Sequence, residues 1–269
     1  MHWVGRVVFA AAAEDPQTMI PIKTPAELQK MRASNRIIAI VLEEIEPLVK
    51  AGVSTWELDE WAEKKIRSLG AEPGFKGYGF PPFPTTLCVS INEEVVHGIP
   101  RRERLLQEGD IVGVDVGCVL EGYWGDGART YAVGKVDEQA SELIRTCKAA
   151  LDEAVKSIGP GSRLREIALA VERTVAPKKY GIIRDLTGHG IGRHLHEDPQ
   201  IFNYDTGEKG PKLREGMTLA IEPMIAAGSW QVRTLEDRWT VVTADSSLSA
   251  HWEYTVAITA GGTEVLTRA

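Results

Sequence analysis

Apolar residues recur at helical spacing over the first well-patterned stretch of the chain, where Leu28, Met31, Ile38, Val41, Ile45 and Leu48 fall on one face. Thr24-Pro25-Ala26-Glu27 precedes most of them as a capping box with proline at the first helical position, so a helix is predicted to open there. Ser54-x-x-Glu57 repeats the signal, and Gly70 is suited to close a second helix. A glycine- and proline-rich loop over 74–84 follows, then a strand through Leu87, Val89 and Ile91. Next the period becomes two, with Val112, Val114 and Val116 alternating with Gly113, Asp115 and Gly117. A tight turn at Glu121-Gly122 is predicted to return the chain antiparallel, setting residue 117 opposite 126 and 115 opposite 128. Helical patterns resume over about 138–158, stopped by Gly159-Pro160-Gly161, and over about 163–175, ahead of Pro177. The β-like stretches "MTLAIEPMI", "RWTVVTAD" and "AHWEYTVAI" complete the chain.

Two helices and a hairpin, then two helices and more strands, suggest two similar halves around one antiparallel sheet. Segregated strands and helices give an α+β class rather than a doubly wound fold. No Pro/Ser-rich linker divides the chain, so residues 21–269 are expected to form a single domain. Residues 1–20 are expected to be a disordered extension, because "RVVFAAAA" is short and runs straight into Glu14 and Asp15, unlike a targeting signal. Met19 is a candidate alternative start.

Composition narrows the function. A net charge of −7 without a sustained Lys/Arg block argues against a nucleic-acid surface. No apolar run approaches a membrane span. Cys88, Cys118 and Cys147 are too scattered for a disulfide framework or a thiolate zinc site, and a reducing compartment is expected.

The chemistry begins with two aspartates in a strand-like hairpin. A buried carboxylate is costly unless it is paired or binds a cation. Side-chain alternation and the predicted register make Asp115 and Asp126 diagonal neighbours on one face, within the reach of one ion. Two readings stand equally at this point: a shared cation, or a salt-bridged hairpin with Arg129 as partner. His189, Glu222 and Glu253 add candidate ligands, and both glutamates interrupt apolar β-like runs. Taken singly, a strand glutamate usually faces solvent or an arginine. Together, four carboxylates and one imidazole could neutralise two divalent cations, and the physical hypothesis is a two-metal hydrolase site.

Five motifs, "INEEVVHGIP", "GVDVG" with "GDGART", "GHGIGRHLHEDP", "IEPM" and "SAHWEYTV", occur in an order and spacing that resembles the type I methionine aminopeptidases, pita-bread metallopeptidases. The resemblance spans about residues 22–267 and implies a central curved antiparallel sheet flanked by helices in two pseudo-symmetric halves. It implies that Asp115, Asp126, His189, Glu222 and Glu253 ligate two divalent ions (cobalt, manganese, iron or zinc), with Asp126 and Glu253 bridging. By the same resemblance His97 and His196 are catalytic imidazoles outside the ligand set, His196 toward the scissile carbonyl and His97 toward the peptide nitrogen. Glu222 is the expected general base, and Tyr78, Cys88 and Trp239 are the expected pocket for methionine. His194 and His251 receive no role.

The implied enzyme is a bacterial-like, cytoplasmic monomer acting on peptide or nascent-protein N-termini, potentially at the ribosome. The 30 residues between Glu222 and Glu253 leave no room for the helical insertion of type II enzymes. Proline-directed peptidases of the same fold use the same five ligands but usually carry a large amino-terminal domain, whereas about twenty residues precede the first helix here. A non-catalytic binding protein of this fold should lack a ligand, and all five are present. "GHGIG" fits neither the dinucleotide fingerprint nor the P-loop.

Overall fold

A computed structural model of the chain describes residues 20–268, so the expected extension and the candidate start at Met19 lie outside the described residues up to residue 19. Helix α1 (Pro25–Ile45) opens on the predicted capping box: the Thr24 side chain accepts from the Glu27 amide, and the Glu27 carboxylate accepts from the Thr24 amide. It stops short of Leu48 because Pro47 turns the chain into a 3₁₀ turn over Glu46–Leu48. Helix α2 (Thr55–Ser68) is capped by Ser54 and Glu57, and Gly70 leaves it at φ +83°.

Strand β1 (Leu87–Ile91) pairs with β2 (Ile111–Leu120), and β2 turns back into β3 (Tyr123–Ala132). The turn works because Glu121 and Gly122 both take the left-handed region, at φ +49° and +78°, which matches the twist of the flanking strands. Its register sets Gly117 opposite Asp126 and Asp115 opposite Ala128, as the alternation predicts. Helices α3 (Glu138–Lys156) and α4 (Arg165–Val175) follow, then strands β4 (Gly188–Gly190), β5 (Glu197–Ile201), β6 (Thr218–Ile221), β7 (Glu253–Thr259) and β8 (Gly262–Val265).

These strands form one antiparallel sheet of nine, running from Glu72–Pro73 through β2, β3, β7, β6 and β4 to β5, with β1 beside β2 and β8 beside β7. The expectation of a single sheet needs correction at its margins. "MTLAIEPMI" breaks at Glu222-Pro223 into β6 and the separate strand Met224–Ala226, since Pro223 has no amide to give a ladder. Two further three-stranded sheets take up that strand and Val241–Thr243.

The halves meet at the seam between β3 and β7, where Ala128 faces Glu253. One core packs Ile38, Leu42, Leu58 and Ile66 of α1 and α2 onto Val112, Val114 and Val116. The other packs Leu143, Leu151 and Val171 of α3 and α4 onto Leu219 and Val256. Each such side chain contributes roughly 2 kcal/mol on burial, and truncating fully buried Ile38 to alanine would cost about 2–5 kcal/mol. Gly125 lets α1 approach the hairpin, because a Cβ there would stand 2.7 Å from the Ser34 carbonyl carbon. With both helical layers on one side, the other face of the sheet is left to hold the polar residues.

Candidate metal centre

One row of directly opposed residues crosses four strands of the sheet: Cys88, Asp115, Ala128 and Glu253. Directly opposed residues in antiparallel strands share a face, so Asp115 and Glu253 flank the small Ala128 on the side away from the valines. Asp126 joins them two residues before Ala128. From the second half, Thr255 of β7 opposes Ala220 of β6, which opposes His189 of β4. Glu222 follows Ala220 by two residues, at the break caused by Pro223. Sheet parity, with the chain's exit from β6 at Glu222, thus brings all five predicted ligands together on the face away from the valines.

Ligand atoms of Asp126, His189 and Glu253 lie within 4.8 Å of one another. His189 Nε2 is also 3.5 Å from Glu222 Oε1 and 3.7 Å from Asp126 Oδ2. His189 Nδ1 lies 2.9 Å from the Gly190 carbonyl, a pairing that puts the ring proton on Nδ1 and turns the Nε2 lone pair toward the carboxylates.

Burial, then mutual repulsion, raises the carboxyl groups. Burial pushes Asp115 up to about 7. Asp126, Glu222 and Glu253 lie well above the carboxylate range, from burial first and neighbouring carboxylates second. Asp115 Oδ1, Asp126 Oδ1 and Glu253 Oε1 are buried without a hydrogen-bond partner among the described residues. Arg129 does not relieve them: it opposes Val114 on the valine face and bonds Tyr131 instead. The salt-bridged hairpin is therefore not formed, because position 129 has the opposite parity to 126. Orphaned buried carboxylate oxygens beside an imidazole nitrogen are a donor set that fits divalent cations.

The two further imidazoles stand over this cluster. His196 packs its ring 4.4 Å from that of His189 and holds Nδ1 2.7 Å from the Tyr78 hydroxyl. It opens to the cleft, yet protein atoms crowd the ring, which with the neighbouring imidazoles pushes its pKa down to about 3. His97 sits at φ +59°, hydrogen-bonded to the Trp239 backbone, and burial lowers it to about 4. Both rings are neutral at pH 7.

Cys88, Trp239 and Tyr78 fall in one apolar cluster beside these groups. The Cys88 thiol, raised by burial and then by Asp115, stays protonated. The cluster also contains Phe83, edge-on to Trp239 at 5.1 Å, and Leu195. Sequence reasoning passed over both. Their only signals were a large apolar residue in a Gly/Pro-rich loop and another between two histidines. His251, left without a role, is buried with Nε2 3.8 Å from Glu222 Oε2. His194 is exposed, its amide donating to Glu197.

Residues 29–260 match the family model of metallopeptidase family M24. The chain is 47% identical over 249 residues to the methionine aminopeptidase of Clostridium acetobutylicum, covering 93% of this chain and 99% of that protein. The crystal structure of methionine aminopeptidase from Thermotoga maritima superposes with a TM-score of 0.91 at 46% identity, covering 93% of this chain and all of the other. The prolidase of Pyrococcus furiosus shares the fold at TM-score 0.75 and 24% identity, and the match covers 65% of its length.

Proposed function

The chain belongs to the methionine aminopeptidases of metallopeptidase family M24, and from that membership we propose that it removes the initiator methionine from new polypeptides. The observation that carries the reading is the meeting of four carboxylates and His189 on one sheet face beside an apolar cluster. Asp115, Asp126, His189, Glu222 and Glu253 would hold two divalent ions. The buried, unpartnered oxygens of Asp115, Asp126 and Glu253 support that assignment. Such ions acidify a water and polarise the peptide carbonyl. Cobalt, manganese, iron and zinc all suit these oxygen and nitrogen donors.

Glu222 takes a proton from the attacking water and returns it to the departing amine, so the water oxygen ends on the methionyl carbonyl carbon. His196, neutral and able to donate, steadies the oxyanion that develops on the carbonyl, while His97 faces the peptide nitrogen. The Tyr78 contact orients His196. Tyr78, Cys88 and Trp239, with Phe83 and Leu195, give the unbranched thioether an apolar slot.

Residues 21–269 act as one catalytic unit in this reading, a monomer working in the cytoplasm on nascent chains, including those still on the ribosome. The sheet that continues through both halves supports the single unit. No helix among the described residues is long and apolar enough to cross a membrane.

The test uses metal-stripped protein on Met-Ala-Ser and Ala-Pro-Ala peptides, with manganese or cobalt restored and Asp126→Asn in parallel. Metal-dependent release of methionine from the first peptide, lost in the variant, is expected. Cleavage of the second alone would move the protein to the proline-directed peptidases. Absence of turnover with any of the metals would leave a binding protein of this fold.

A further inference from the structure

A second ionic arrangement lies outside the carboxylate cluster. Lys23 Nζ meets Glu197 Oε2 at 2.5 Å across 174 positions of sequence, and the two side chains are only 5% and 6% exposed. Glu197 uses its other oxygen as well, since Oε1 accepts the amides of Arg193 at 2.8 Å and His194 at 3.2 Å. The carboxylate thus gathers the turn over 191–197 from inside. Gly192 is the point of closest approach: a Cβ there would run into the Lys23 side chain and stand 2.7 Å from Glu197 Oε1. The Lys23 backbone is tied down in turn, its amide donating to the Gly216 carbonyl at 2.8 Å.

Outer contacts tie down the same turn. Arg193 reaches Glu27 in the first turn of α1 at 3.2 Å and lies over the Tyr123 ring at 4.7 Å, and the Tyr123 hydroxyl donates to Glu27 at 2.6 Å. The Trp124 amide donates to the Gly192 carbonyl at 2.8 Å. The turn held in this way carries His196 between buried Leu195 and Glu197. A buried ion pair is a weak source of stability, because desolvation consumes much of the Coulombic gain. What such a pair can supply is a unique geometry.

We propose that Lys23 and Glu197 are positioning residues, whose ion pair clamps the turn over 191–197 to the start of α1 so that His196 is held over the carboxylate cluster. Its catalytic consequence rests on the reading of His196 as the group that meets the scissile carbonyl. A loosened turn displaces that ring by a fraction of its reach, and displacements near 1 Å cost up to about 100-fold in rate.

The experiment joins a structural and a kinetic readout on the full chain. Amide hydrogen exchange of metal-stripped Lys23→Met and Glu197→Gln is compared with the wild-type protein. Exchange at Arg193 and His194 should quicken about 10-fold or more while the middle of α1 and the β2–β3 hairpin keep their protection. Methionine release from Met-Ala-Ser with manganese should fall about 10- to 100-fold in kcat with little change in KM. The same substitutions made in His196→Ala should lower kcat no further, because the residue being positioned is gone. Unchanged exchange in the turn would overturn the clamp. Faster exchange with undiminished kcat, or an equal loss in the His196→Ala background, would overturn the positioning of His196. If the wild-type protein releases no methionine, the proposed activity fails, and the exchange result alone decides the clamp. Glu197→Gln keeps the test open if Lys23→Met does not fold, since glutamine keeps the size of the side chain and removes the charge that pairs with Lys23.

Discussion

Glu222 places a carboxylate oxygen 3.5 Å from His189 Nε2, and the proposed reaction asks it both to hold metal and to take the proton of the attacking water. Glu222→Gln keeps the shape and removes the charge and the base, so kcat/KM for Met-Ala-Ser should fall by at least about 100-fold at saturating manganese. A variant that retained more than a tenth of wild-type turnover would remove Glu222 from the proton transfer. The grouping at this scale was largely legible in the chain: Asp115, Asp126, His189, Glu222 and Glu253 come together beside one face of the sheet. The hairpin alone left Arg129 as an equal alternative partner, and strand parity decides against it, because Arg129 opposes Val114 while Asp126 opposes Gly117.

Elements are set by short-range signals. The two capping boxes start α1 and α2, and the left-handed pair Glu121-Gly122 fixes the register on which the aspartates depend. Asp59 of α2 shows how one element anchors the next: its Oδ1 accepts the amides of Thr86 and Leu87 at 2.8 and 2.7 Å, starting β1. Burial raises this carboxyl from 3.8 to about 6. A raised folded pKa means that the stabilising protonated form is fully present below the ordinary value and is lost as pH rises through about 6. Asp59→Asn preserves an oxygen for both amides and cannot ionise. Its melting temperature should match the wild type near pH 4 and exceed it increasingly toward pH 7, by an energy of roughly 2–3 kcal/mol at most. Scanning calorimetry at both pH values decides it, and a gain that shrinks with pH would refute the ionisation argument.

Across the whole molecule, the carboxylates of the proposed site would link metal binding to folding. With Asp115 raised to about 7, and Asp126, Glu222 and Glu253 also raised, by burial above all, the metal-free protein is stabilised by their protonated forms at low pH. That contribution is lost as pH rises from about 4 through about 7, so the melting temperature of the stripped protein should decline across this window. Manganese at 100 times its pH 8 dissociation constant adds about 2.7 kcal/mol at that pH, a rise of several degrees for a chain of this size, and the same concentration should add less at pH 5, where protons compete for the carboxylates. Thermal shift with and without manganese tests both. A metal-free protein that gains stability through the same window would contradict the assigned cluster.

Helix starts, the hairpin register and the shared face of Asp115 and Asp126 were readable because capping, turn preference and alternation act over a few neighbouring residues. They persist in the folded chain almost unaltered. The break of the β-like stretch at Pro223 was written locally too, although a contiguous apolar pattern masked it. The pocket and the clamp were of another kind. Phe83 stands in a loop without periodicity and reaches Trp239 only because the strands around it curve, and Lys23 finds Glu197 across 174 residues. Such pairings follow from how distant segments close over the sheet, and no property of either residue's neighbours in the chain announces them.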